Sequence, residues 1–165
     1  MSLIVETGSG VSNAESLCDV AFATQYHADR NNTAWSALTT AQMETALRKA
    51  TDYMEAVYKS QWQGMRVNNI QALDWPRVGV TANNYYVLST IVPLPIKKAC
   101  CELALKTITI DLLPDTTQQK TSVTVGPIST TYDKFSPQNK QFPAIKFLLQ
   151  PYFDVASGFT HRLIR

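Results

Sequence analysis

The sequence predicts a mainly α-helical protein: a small bundle of about four helices with one β-hairpin and an extended C-terminal tail. Three observations predict it. Apolar residues recur at spacings of three and four through two long stretches, 43–58 and 96–112. One stretch, 121–132, alternates with a period of two instead. Prolines open helices at Pro93, Pro95 and Pro143 and stand just beyond helix ends at Pro114 and Pro151. Residues 1–153 read as one domain and 154–165 as a tail, and a chain of 165 residues is long enough to bury about 70% of the surface it exposes when unfolded.

Taken in order, Ser12 and Glu15 have the Ser-x-x-Glu spacing of a capping box, so the first helix is predicted over about 14–29, ended by Asn31 and Asn32. Trp35 and Leu38 fall in a short connection. Thr39 and Gln42 repeat the capping spacing, and Met43, Ala46, Leu47, Ala50, Met54, Val57 and Tyr58 give the second helix one apolar stripe. Glu44 with Arg48, and Glu55 with Lys59, stand four apart and read as a solvated face. Residues 61–92 have no period. Because a structureless loop of about 30 residues is unusual, its aromatics are expected to anchor it, with Pro76 holding Trp75 extended. The third helix, about 95–112, is apolar around most of its circumference, which fits a central helix or one that also meets another subunit. Gly126 and Pro127 reverse a β-hairpin at about 121–133, and a short fourth helix runs from Pro143 to about residue 150.

Charged residues make up 17% of the chain against a usual share of about 25%, and the net charge is +2. Residues 1–133 hold 10 basic and 12 acidic side chains, and residues 134–165 hold 5 and 1, so the basic end is C-terminal. That balance does not by itself announce a nucleic-acid or membrane-surface protein. Cys18, Cys100 and Cys101 are an odd number with two adjacent, a poor disulfide framework that reads as buried hydrophobes in a reducing compartment. No apolar run reaches the roughly 20 residues that span a bilayer, and the first ten residues lack a signal-peptide pattern, so a soluble cytoplasmic product is expected. His27 and His161 are the only histidines, no zinc-ligand spacing occurs, and there is no phosphate loop, nucleophile elbow or HExxH pattern. No catalytic residue, cofactor or metal is therefore expected, and an enzyme is disfavoured.

Several constellations have two readings. Asp52, Asp74, Glu102 and Asp111 supply carboxylates, but no spacing pairs them, and helix-surface acids is the simpler reading. Tyr26, His27 and Arg30 resemble a proton-transfer set, yet His27 and Arg30 also suit the negative end of a helix. Trp35, Trp62, Trp75, Tyr85 and Tyr86 with Arg66 and Arg77 form either a stacking surface for single-stranded nucleic acid or the anchors of an irregular loop. Trp75, Pro76 and Arg77 are the chosen loop anchor and a candidate subunit contact, Arg77 being expected to meet a carboxylate or a helix end. In the tail, Phe159, Arg162, Leu163, Ile164 and Arg165 are the residue types that anchor interfaces, and they are the candidate partner surface.

Segments spread over the chain resemble one family. They are Val5-Glu6-Thr7-Gly8; Asn13 to Leu17; Tyr26-His27-x-x-Arg30 with Ala34-Trp35; Ala50 to Tyr53; Gln71-Ala72-Leu73-x-Trp75-Pro76-Arg77-x-Gly79-Val80; Val92-Pro93; Ile96-Lys97-x-Ala99-x-x-Glu102-Leu103-Ala104; Asp111 to Pro114; and Val125 to Ile128. The family is that of tailed-bacteriophage head–tail connectors (adaptor or head-completion proteins), some of whose members are labelled DnaT-like single-stranded-DNA-binding proteins. Asn31 stands where such proteins often have glycine, and the quoted segments do not extend into the tail after Asp154. The resemblance implies a non-catalytic virion protein, made in the host cytoplasm, that forms a ring of about twelve copies under the portal. Such a ring would extend the channel for the double-stranded genome, join the head to a tail or neck protein and contact no membrane. The competing function is a single-stranded-DNA-binding module acting in replication.

Overall fold

A computed structural model describes residues 2–114, 122–125, 128–131 and 141–154. Its first helix, α1 (Val20–Ala28), is capped by Asp19, whose carboxylate accepts the Phe22 N–H at 2.7 Å. The predicted start at the Ser12–Glu15 box is not used. Glu15 is occupied elsewhere: its Oε2 receives Arg48 at 2.9 and 3.1 Å and the Ile4 N–H at 3.3 Å. Ser16 forms a parallel bridge with Val5, so the chain there is extended. The supposed connection around Trp35 is a one-turn helix, α2 (Thr33–Ser36), that buries Trp35.

Helix α3 (Thr40–Tyr58) begins at the predicted capping box, with Thr39 N–H donating to Gln42 Oε1 at 2.8 Å and Gln42 N–H to Thr39 Oγ1. Its stripe packs on α4 (Leu94–Lys106) through Leu47, Ala50, Thr51 and Met54 against Ile96, Ala99, Cys100 and Leu103. Small residues at this seam let the helices approach closely: Cys100 Sγ lies 3.6 Å from Thr51 Oγ1. All three cysteines are reduced and buried. Helix α4 stops about one and a half turns earlier than its apolar pattern predicts, and Thr107 to Ile110 form turns. Glu44 and Arg48 pair as expected, at 3.7 Å.

Between α3 and α4 lie four two-residue strands rather than an irregular loop. They are β1 (Met65–Arg66) paired with β2 (Arg77–Val78), and β3 (Thr81–Ala82) paired with β4 (Tyr85–Tyr86), both antiparallel. These pairs escape period analysis because two residues contain no repeat. Strands β5 (Ser122–Val125) and β6 (Ile128–Thr131) form the predicted hairpin, antiparallel, with Val125 opposite Ile128. Helix α5 (Pro143–Leu149) runs into a 3₁₀ turn (Gln150–Tyr152) that brings Phe153 beside Trp62. Helix is thus the commonest element without dominating the described residues.

The residues of the first segment also have a physical reason. The buried Glu6 carboxylate accepts the N–H groups of Gly8, Gly10 and Val11 at 2.8, 3.0 and 2.7 Å. That tight wrap needs Gly8 at φ +104°, with its Cα against the Thr90 carbonyl, where no side chain fits.

Candidate functional site

The proton-transfer reading of Tyr26, His27 and Arg30 gives way to packing. His27 is fully buried; its Nε2–H donates to the Cys101 carbonyl at 3.2 Å and its Nδ1 accepts from Asn32 Nδ2 at 3.1 Å. Burial lowers its pKa, so the ring is neutral and both nitrogens are occupied. Tyr26 donates to Glu102 Oε1 at 2.7 Å, while Arg30 covers the Tyr26 ring at 3.5 Å and donates to the Tyr26 carbonyl near the end of α1.

Trp75, a candidate loop anchor, packs inside the segment between α3 and α4. It is fully buried, edge-on to Trp62 at 5.6 Å and to Tyr152 at 5.8 Å, and Tyr58 and Phe153 complete the cluster. The Trp75–Pro76 peptide is cis. Arg77, also buried, donates to the carbonyls of Gln63 (2.7 Å), Gly64 (2.7 Å) and Asp74 (3.2 Å). It therefore pins backbone, where a carboxylate or helix end was expected. Gln71 completes the knot by donating to the carbonyls of Leu73 and Pro76.

A carboxyl pair that spacing did not reveal lies under this knot. The Asp74 N–H donates to both Glu55 oxygens, at 2.9 and 3.0 Å, which brings the two carboxyl groups into electrostatic contact. Glu55 is thus a half-buried acceptor and not part of the expected solvated face. Burial, reinforced by Asp74, pushes its carboxyl up to about 7. Burial also raises Asp74, against the pull of Arg77, Lys59 and Arg66. The only signal in sequence was Glu55 itself, polar on the flank of an apolar stripe.

The five candidate stacking aromatics separate cleanly. Trp35, Trp62 and Trp75 are 1, 6 and 0% exposed, whereas Tyr85 and Tyr86 are 78 and 83% exposed. The tyrosines sit on β4, next to a tight turn in which Asn83 and Asn84 both have positive φ, 52° and 69°. The base of the β3–β4 hairpin is held rigidly: Val80 and Ala82 are buried, Val87 N–H donates to the Val80 carbonyl, and Thr81 N–H donates to Gln63 Oε1. Arg66, on β1, is partly buried with Nε unpartnered. From Val78 to Ile96, 19 residues, there is no Asp, Glu, Lys, Arg or His. Met65 and Val78, opposite each other on β1 and β2, and Leu88 are exposed beside it.

Of the other surface concavities, one of about 470 Å³ lies between Lys49, Asp52 and residues 107–113, and one of about 390 Å³ between residues 31–34 and Leu105 to Thr109. Neither brings a nucleophile to a base. Among the described residues no group of three His, Cys, Asp or Glu side chains is placed to hold a metal, and no helix is long and apolar enough to cross a membrane. The tail candidates Phe159, Arg162, Leu163, Ile164 and Arg165 lie outside the described residues.

Comparison with known families gives one match over residues 1–165, to the family described as "Putative DnaT-like ssDNA binding protein". No curated protein and no solved structure matches the chain. The match overturns the head–tail connector function expected above, because the family description names single-stranded-DNA binding, the competing function. A slightly acidic body with no run of basic residues bears on phosphate attraction alone, and base stacking requires no net charge. Over its whole length, this chain belongs to the DnaT-like single-stranded-DNA-binding family.

Proposed function

We propose that the protein binds single-stranded DNA through the β3–β4 hairpin, with Tyr85 and Tyr86 as stacking platforms for bases. The observation that carries this reading is that pair of exposed tyrosines, held on a rigid base in a chain of this family. Every base has a π-face, so such stacking is tolerant of sequence. The cations nearest in sequence to the hairpin, Arg77 and Lys97, are both partly or wholly engaged: Arg77 on three carbonyls and Lys97 over the Phe22 ring at 5.9 Å. The hairpin itself carries no cation, so stacking on Tyr85 and Tyr86 is expected to outweigh phosphate contacts. Affinity for an oligothymidine should fall gently with salt, with a log–log slope of about −1 to −2.

The test is fluorescence anisotropy with labelled oligothymidine and the Tyr85→Ala/Tyr86→Ala double variant. A loss of at least about tenfold is expected, since each stacked base contributes about 1–3 kcal/mol. Unchanged affinity in the double variant, or no binding by the native protein, overturns the proposal.

A further inference from the structure

Tyr85 and Tyr86 cannot lie against one continuous surface. Consecutive strand residues leave opposite faces of a ribbon, and residues paired across an antiparallel ladder share a face. Ala82 is opposite Tyr85 and Thr81 is opposite Tyr86. One face therefore carries Val80, Ala82, Tyr85 and Val87, and the other carries Thr81 and Tyr86. The first face is the one seated on the core, with Val80 at 0% and Ala82 at 7% exposure, yet Tyr85, next along it, is 78% exposed. The supporting body ends beneath Ala82, and the tip overhangs it with a ring on each side.

The tip has rings and the amides of Asn83 and Asn84, but no cation. It is suited to base faces and base edges, not to following a phosphate chain. In an unbroken stack, bases succeed one another at about 3.4 Å, whereas side chains on the two sides of a ribbon stand several times farther apart, on the scale of the roughly 10 Å between packed sheets. Covering both rings requires a place where neighbouring bases part. The interior of a duplex hides its base faces. A junction between duplex and single strand exposes the outer face of the last base pair and frees the next base to swing aside without breaking a pair.

We infer that the hairpin tip is a wedge for the junction between double-stranded and single-stranded DNA, one tyrosine capping the terminal pair and the other stacking on the first unpaired base. This rests on the single-strand reading above and narrows its substrate.

The experiment compares the full-length protein on an oligothymidine, a blunt duplex and a duplex with a single-stranded tail, the last carrying 2-aminopurine at its first unpaired position. The tailed duplex should bind about tenfold tighter than the single strand and the 2-aminopurine emission should change on binding. Tyr85→Ala and Tyr86→Ala should each remove that preference, and Tyr85→Phe and Tyr86→Phe, which keep the rings, should retain it. Equal affinity for tailed duplex and single strand, with both weakened in the alanine variants, sinks the wedge and leaves single-strand binding standing. Tightest binding to the blunt duplex also sinks it. Binding to none of the three removes both readings.

Discussion

Glu55→Gln should stabilise the protein above neutral pH and leave it nearly unchanged in acid. In the folded state Glu55 holds its proton up to about pH 7, against an ordinary value of 4.5. The folded protein therefore binds more protons than the unfolded chain between those two values, and its unfolding free energy falls as pH rises through that window and stays low above it. At about 1.36 kcal/mol per pH unit the full loss is about 3.4 kcal/mol, and about 2 kcal/mol remains when screening at the solvent-facing edge of Glu55 is allowed for. Glutamine keeps an oxygen for the Asp74 N–H and offers an N–H to the buried, unpartnered Asp74 Oδ2, with no charge at any pH. Urea denaturation of both proteins across the acid-to-alkaline range reads the effect directly. Native stability relative to the variant should drop from pH 4.5 to about pH 7, reaching a gap of about 2 kcal/mol in unfolding free energy. Parallel profiles would mean that Glu55 is ionised in the folded state, and a variant less stable at every pH would mean that acceptor geometry, not the proton, governs this contact. Either result refutes the argument.

Trp75→Ala should cost about 3–5 kcal/mol in denaturant unfolding, the range for emptying a large core site, and a loss below about 1 kcal/mol would place the ring outside the core. Gly8→Ala, which drives Cβ into the Thr90 carbonyl at a positive φ, should cost more than about 2 kcal/mol by thermal unfolding. His27, whose pKa is lowered by burial, stabilises the fold above its ordinary 6.5, and that contribution is lost as pH falls from there towards the folded value. Nitrogen chemical shifts should report a neutral ring protonated on Nε2 at pH 7, and an imidazolium signal would contradict the hydrogen bonds assigned to it. Tyr85→Ala and Tyr86→Ala should each shift stability by no more than about 0.5 kcal/mol, because both rings are exposed; a larger loss on calorimetry would show that they pack.

Long-period features were legible in the sequence. The stripe and cap of α3 and the proline that opens α5 appear where spacing puts them. The start of α1 was misread because Glu15 fits two partners equally well on paper, and a guanidinium 33 residues away wins over a local N–H. The end of α4 was overrun because apolar side chains continue past Lys106 while the backbone turns. The candidate site was half legible. Residue type marked Tyr85 and Tyr86 but not which aromatics stay in water, since exposure depends on where the body ends under a ribbon. The Glu55–Asp74 pair was invisible because it joins a helix to a loop 19 residues on, through a backbone N–H that any residue type could supply.

Gln63 has a consequence for the order in which the molecule is completed. Its one amide works in both directions: Oε1 accepts the Thr81 N–H, and Nε2 donates to the carbonyls of Pro151 and Phe153. The brace under β3 thus joins residues 88 and 90 positions apart along the chain. Synthesis runs from the N-terminus, so a nascent chain acquires Tyr85 and Tyr86 long before the carbonyls that steady their support. Loop closure over such a span also comes late in refolding. The ribbon is firmly aimed only in a finished chain, and a ribosome-bound fragment lacking the residues after 149 would carry the same two rings on an unbraced mount.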